Sequence, residues 1–319
     1  MGRRAAAVLL AAVGLVAPAC GGGDDSASEE TAATTTAPVA DAPAVRSEER
    51  TFATLPTLVV RPAGNGPFPL ILFVHGAGAP PEFYTPLLEA LAAAGNVVVA
   101  PAMPGSVDHS DFSALAALPF QPGRVKQVLD AVTTGPQAIH AADPERVVVM
   151  GHSLGGMTAL AMGFNSCCLD QRVDAVVSIA GEMATFPGGR YALGTKPLLL
   201  VHGEDDETVP FASSGEALQQ LGTSAYLLAV EGGDHTGYLA ADDRAFPAVV
   251  AAIVSFFEAT IGGDPRGGLA DLTNAGSMPG VRLTTRGFAC GKHSAEPPSV
   301  SEAAGLARRG QVRVSGFPG

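Results

Sequence analysis

The sequence predicts an α/β domain built on a doubly wound, mostly parallel sheet without a large cap domain. Short β-branched apolar runs recur between Thr51 and about Gly263, helix-period segments separate them, and turn residues punctuate each junction. The runs are Leu70 to Val74, Val97 to Ala100, Val147 to Met150, Ala175 to Ala180, Leu198 to Val201 and Tyr226 to Val230. Each is continuous rather than alternating, as strands buried on both faces of a parallel sheet must be. The helical segments are Leu87 to Ala94, Val125 to Thr133, Thr158 to Phe164, Ser213 to Leu221 and Val249 to Ala259. Phe52 to Val60 reads as one or two antiparallel edge strands, and after Gly263 the periodicity fades into Gly, Pro and Arg. Ligands of such sheets sit beyond the carboxyl ends of the strands, so the loops there are where chemistry is expected.

Composition narrows the function classes. The 319 residues are 47% hydrophobic and 16% charged, enough apolar material for a sizeable core. A formal charge of -12 would repel a nucleic-acid backbone, so no nucleic-acid partner is expected. No uninterrupted apolar run reaches the ~20 residues of a membrane-spanning helix, which argues against a helical membrane bundle.

The first residues read as an address. Arg3 and Arg4 precede the small and apolar run Ala5 to Ala19, the pattern of a signal peptide over 1–19. Cys20 follows Ala17-Pro18-Ala19 and precedes Gly21-Gly22-Gly23-Asp24-Asp25, which resembles the lipidation site and tether of bacterial lipoproteins. Lipidation at Cys20 implies a membrane anchor, and ordinary secretion is the other reading; both export the protein. Residues 20–50 are Ala, Thr, Pro, Asp and Glu without apolar periodicity, as a flexible spacer would be. The catalytic domain is then expected over 51–262, with an irregular extension over 263–319.

Three further cysteines remain, Cys167, Cys168 and Cys290. Adjacent Cα atoms are ~3.8 Å apart, below the usual ~4.4–6.8 Å for a disulfide, so Cys290 is expected to pair with Cys167 or Cys168. The adjacent pair also lacks the Cys-x-x-Cys spacing of a zinc site, and no metal or organic cofactor is expected.

The chemistry concentrates at one junction. Val147-Val148-Val149-Met150 runs into Gly151-His152-Ser153-Leu154-Gly155-Gly156 and then a helical segment, which is a Gly-x-Ser-x-Gly nucleophile elbow in its strand–turn–helix context. A serine hydroxyl needs a base, itself oriented by an acid. The run Leu198 to Val201 opens into His202-Gly203-Glu204-Asp205-Asp206-Glu207, where Asp206 is the expected acid and Asp205 the second choice. After the next strand comes Glu231-Gly232-Gly233-Asp234-His235, where paired glycines permit a loop that returns His235 over the strand ends as the base. Asp234 reads as a loop-stabilising neighbour, and His75, His152 and His202 as supports of the backbone. Leu70 to Val74 ends in His75-Gly76-Ala77-Gly78, whose Ala77 N–H would complete an oxyanion hole with that of Leu154.

These four motifs, in this order, resemble the α/β-hydrolase superfamily over roughly residues 51 to 262. Within it the chain is similar to dienelactone-hydrolase-like and bacterial cutinase-like or polyester-hydrolase-like esterases, with platelet-activating-factor acetylhydrolases and chlorophyllases as further relatives. Ser153 stands where dienelactone hydrolases usually carry Cys. With no Trp in the chain and Ala180-Gly181-Glu182 after the corresponding strand, the aromatic clamp of polyester hydrolases is missing.

Gly181 to Lys196 is too short for an inserted helical cap, so the cleft should be open. Met103 to Gln121 carries Phe112, Leu115, Leu118 and Phe120, and reads either as a pocket wall or as a surface loop with core anchors. The expected function is an exported serine ester hydrolase acting on small-molecule or lipid-like hydrophobic esters. A surface lipoprotein that uses the fold only to bind a ligand or partner is the alternative.

Overall fold

The computed structural model describes residues 44–106, 112–221 and 224–286. The expected leader, Cys20 and Cys290 lie outside these residues. In chain order the elements are β1 (Val45–Phe52), β2 (Leu55–Pro62), β3 (Phe68–Val74), α1 (Thr85–Ala93), β4 (Val97–Pro101), α2 (Phe112–Ala117), α3 (Gln121–Thr133) and β5 (Ala142–His152). They continue with α4 (Leu154–Phe164), β6 (Val173–Ile179), β7 (Leu198–Gly203), α5 (Ala212–Gln220), β8 (Ala225–Val230), α6 (Phe246–Thr260), α7 (Pro265–Ala275) and β9 (Val281–Arg286).

One sheet holds the strands in the order β1-β2-β4-β3-β5-β6-β7-β8-β9. From β4 across to β8 the pairing is parallel, and β1, β2 and β9 extend the edges antiparallel. The continuous apolar runs are explained by two cores. On β3, Ile71 and Phe73 enter one core while Leu70, Leu72 and Val74 enter the other; on β5, Val148 and Met150 oppose Val147 and Val149. The first core is covered by α1, α6 and α7, the second by α3, α4 and α5. Each fully buried aliphatic side chain contributes ~1.5–3 kcal/mol, so neither face of these strands can be polar.

The edges differ from the sequence expectation. β1 begins at Val45, inside the stretch read as spacer, because an edge strand is held by backbone pairing and needs little apolar burial. Its eight residues pair with β2 from Val45↔Pro62 to Phe52↔Leu55, across a two-residue turn in which Ala53 and Thr54 both take positive φ. The stretch after Gly263 is not irregular throughout: α7 and β9 follow, and the domain continues at least to Arg286 rather than ending at 262. Asp264 caps α7 by accepting from the Gly267 N–H at 2.9 Å, with Pro265 at the first helical position. β9 pairs antiparallel with β8 from Val281↔Val230 to Arg286↔Ala225. Its polar alternation suits a strand with one face in water and lacks the continuous apolar signature of the inner strands.

The cysteine pairing is also different. Cys167 bonds to Cys168, with Cα atoms 3.8 Å apart, rather than either bonding to Cys290. Both sit in a turn closed by Asn165, whose carbonyl accepts from the Cys168 and Leu169 N–H groups while its side chain accepts from that of Cys167. Adjacency and this turn bring the thiols together at little loop-closure cost, closing only a small ring, which the usual separation window for distant cysteines does not reflect. Residues 180–197 between β6 and β7 form no helix, so no cap is inserted there. Between β4 and α3 the expected loop contains α2 and a short 3₁₀ turn, where Leu118 is a buried anchor and Phe120 is 67% exposed.

Candidate active site

Ser153 occupies the junction of β5 and α4 with φ 54° and ψ −118°, a conformation that costs a non-glycine residue about 1–3 kcal/mol. The surroundings hold it there. Its N–H donates to the Ile179 carbonyl at 2.8 Å, and its own carbonyl accepts from Met157 at 3.0 Å. Glycine is required on both sides, because a Cβ at Gly151 would meet the Gly155 backbone and one at Gly155 would meet the Val74 carbonyl. Leu154 starts α4, so its N–H belongs to the first turn, which has no acceptors inside the helix.

Asp206 and His235 come from the loops after β7 and β8. These loops are stitched together: the Glu204 N–H donates to Val230 and the Asp205 N–H to Gly233, at 3.0 and 2.9 Å. Gly203 lies so close to the Gly233 and Asp234 carbonyls that any side chain there would separate the loops. The result is a 2.7 Å hydrogen bond from His235 Nδ1 to Asp206 Oδ2. Asp206 is buried, whereas Asp205 is exposed. Asp206 Oδ1 accepts from the Thr208 and Val209 N–H groups at 2.8 and 2.9 Å. Burial pushes the Asp206 carboxyl up, but the bonds from His235, Val209 and Thr208 outweigh it and hold it below the ordinary carboxylate value. Asp234 shapes its own loop by accepting from the Thr236 and Gly237 N–H groups.

His202 Nε2 faces two acceptors, the Val209 carbonyl at 3.0 Å and Asp206 Oδ2 at 3.2 Å, so it carries the proton. Nδ1 then accepts from the Ser214 hydroxyl at 2.6 Å, and the ring is a second donor to Asp206. His75 has the opposite tautomer. Its Nε2 accepts from the Met103 N–H at 2.8 Å, so Nδ1 donates to the Gly76 carbonyl at 2.7 Å. This fixes the loop carrying Ala77, and the Gly78 N–H adds a bond to Ser106 at 2.7 Å. Gly76 itself approaches the elbow, since a Cβ there would lie 3.2 Å from the Ser153 Cβ.

Ser153, Asp206, His235 and the Ala77 and Leu154 backbone therefore stand at one sheet edge, with one contact not made. Among the described residues, no hydrogen bond joins the Ser153 hydroxyl to His235; such bonds are often loose before substrate binds. Beside Ser153 lies an apolar cluster of Leu118, Leu154, Met157, Cys168, Phe186 and Val209 among others, with Ala77 packed against it. An open groove of about 440 Å³ shares Cys168 and Phe186 with that cluster and is flanked by the exposed Phe120.

The buried histidines make the fold acid-sensitive. His152 is pushed down from 6.5 to about 3, chiefly by burial, with the neighbouring His235 adding to it. Below about pH 6.5 the unfolded chain binds a proton that folded His152 refuses, so stability falls as pH falls until about pH 3; well above 6.5 both states are neutral and the effect vanishes. Between pH 6.5 and 5 the loss from His152 is about 2 kcal/mol. Burial pushes His75 and His202 down too, which adds to the slope. Urea denaturation of wild type and His152→Gln at pH 7, 6 and 5 checks this: the variant should show the flatter profile, and identical profiles would exclude His152 as a source.

Comparison with known proteins bears on the family. Residues 30–186 match the chlorophyllase family and residues 168–259 the TAP-like protein family. Chlorophyllase-1, chloroplastic, of Citrus sinensis is 30% identical over 189 residues, covering 56% of this chain and 51% of the relative. Chlorophyllase type 0 of Chenopodium album is 31% identical over 134 residues, covering 39% and 37%. The chain thus spans about half or less of these two relatives. Esterase YjfP of Escherichia coli (strain K12) is 30% identical over 213 residues, covering 55% of this chain and 84% of the relative. The chain belongs to the α/β-hydrolase superfamily. As an α/β-hydrolase it has the sheet of that fold plus the edge strand β9. Three supports of the site escape a reading of its sequence: Tyr84, whose hydroxyl oxygen accepts from the Gly76 N–H, Ser214 and the donor role of His202. Tyr84 and Ser214 come from helical segments with no motif of their own, and His202 resembles any strand-end histidine until its partners are known.

Proposed function

We propose that the protein is a serine ester hydrolase for hydrophobic carboxylic esters, working through an acyl-enzyme. The 2.7 Å bond from His235 to the buried Asp206 carries this reading. With Nδ1–H committed to Asp206, His235 Nε2 presents a lone pair and takes the Ser153 proton as Oγ attacks the ester carbonyl. The tetrahedral oxyanion is held by the N–H groups of Ala77 and Leu154. His235 then protonates the departing alcohol, and a water that it activates releases the acid. The apolar cluster beside Leu154 favours acyl or alcohol groups without charge, and the YjfP relative, named an esterase, supports the reaction class.

A fluorophosphonate probe tests the reading, since only an activated serine is captured. Labelling should map to Ser153, and p-nitrophenyl butyrate should turn over. A chain that neither labels nor hydrolyses a series of acyl esters from C2 to C12 would be a binding protein on a hydrolase fold.

A further inference from the structure

Three backbone segments carry the groups assigned above: the Gly76–Ala77 loop, the Ser153 elbow and the His235 loop. A fully buried side-chain bridge joins them. The Gly76 N–H donates to the Tyr84 hydroxyl oxygen at 3.0 Å. That hydroxyl lies 2.9 Å from His152 Nδ1, and His152 Nε2 lies 2.8 Å from the His235 carbonyl oxygen. His152 directly precedes Ser153, and its ring centroid is 4.8 Å from that of His235. Tyr84 is held by Phe73 and Phe83, with ring centroids 4.7 and 5.0 Å away.

The ends of this bridge fix its direction. A carbonyl can only accept, so His152 Nε2 bears the proton and Nδ1 is bare. Nδ1 therefore takes the Tyr84 hydroxyl proton, which leaves the Tyr84 oxygen to accept from Gly76. One proton arrangement satisfies every member, and reversing it would require a backbone N–H to accept. Burial pushes His152 down to about 3, which favours the neutral ring that this arrangement requires.

We propose that Tyr84 and His152 are positioning residues: their bridge from the Gly76 N–H to the His235 carbonyl sets the spacing between oxyanion loop, nucleophile and base. This rests on the serine hydrolase reading of the same site. Neither side chain reaches the reacting atoms. What they control is where the Ala77 N–H and the His235 ring stand relative to Ser153, and misplacement of about 1 Å is enough to lose rate.

The test counts competent sites by stoichiometric fluorophosphonate titration and expresses kcat for p-nitrophenyl butyrate per titrated site. Tyr84→Phe and His152→Leu should lower kcat per site roughly tenfold or more, with KM changed by less than about threefold. His152→Gln, whose amide can accept from Tyr84 and donate to the His235 carbonyl, should restore most of what His152→Leu loses. A merely structural role would instead reduce the number of titrated sites and leave kcat per site unchanged, which would overturn the proposal. So would a His152→Gln as slow as His152→Leu. Nitrogen NMR of the wild-type chain labelled at its histidines needs no destabilised variant. It should show His152 neutral with the proton on Nε2, and a proton on Nδ1 would overturn the bridge. A wild-type chain that the probe does not label would overturn the serine hydrolase reading, and the positioning role with it.

Discussion

Ser153→Ala is expected to lower kcat for p-nitrophenyl butyrate by about 10⁶-fold while leaving the folded chain as stable as the wild type. The first half follows from chemistry, because alanine has no oxygen to attack the ester. The second half follows from structure. The Ser153 hydroxyl makes no hydrogen bond to His235, and the backbone bonds to Ile179 and Met157 do not involve the side chain. Alanine tolerates φ 54° no better and no worse than serine, so the strain at the elbow is retained. Urea denaturation should agree within about 0.5 kcal/mol. Residual turnover above 1% of wild type in a preparation free of other esterases would assign the nucleophile elsewhere.

Asp206→Asn should cost about 10⁴-fold in kcat, and the reason is a proton on the wrong nitrogen. The Asn oxygen would keep the Thr208 and Val209 N–H donors that Asp206 Oδ1 now accepts, which directs the amide nitrogen toward His235. An N–H then faces His235 Nδ1, so that nitrogen must give up its proton and become an acceptor. The remaining proton moves to Nε2, where a lone pair is needed to take the Ser153 proton. The His202 Nε2–H, now 3.2 Å from Asp206 Oδ2, would also meet a donor in place of an acceptor. Steady-state kinetics beside Asp205→Asn gives the contrast. Asp205 is exposed, so its variant should stay within about twofold of wild type. A larger loss from Asp205→Asn than from Asp206→Asn would exchange the two roles.

The inner strands were legible because burial on both faces leaves short, continuous, β-branched runs bounded by turn residues. Leu70 to Val74 and Val147 to Met150 are apolar at every position since alternate residues serve different cores. The edges carry no such mark. β1 leaves both faces in water over Arg46 to Glu49, and β9 is largely polar too; both depend on backbone pairing, which a polar run such as Ser47-Glu48-Glu49-Arg50 does not announce. The cap at Asp264-Pro265 does mark the start of α7, although the fading periodicity after Gly263 hides the helix that follows. A distance rule for separated cysteines favours Cys290 as a disulfide partner, and the Cys167–Cys168 bond in the turn at Asn165 overrides it.

By itself the sequence determined the layered α/β class, the elbow at Gly151 to Gly155 and the order of the polar groups along the chain, because all three depend on neighbouring residues. Tertiary structure alone decided which of two adjacent aspartates meets His235, and that His75, His152 and His202 are buried neutral rings with fixed tautomers. It also decided that Tyr84 stands between the Gly76–Ala77 loop and the elbow. The physical reason is that hydrogen-bond partners such as Tyr84 and His152 are 68 positions apart along the chain. No local periodicity encodes a meeting at that range; it is created when the sheet brings its strand ends to one edge.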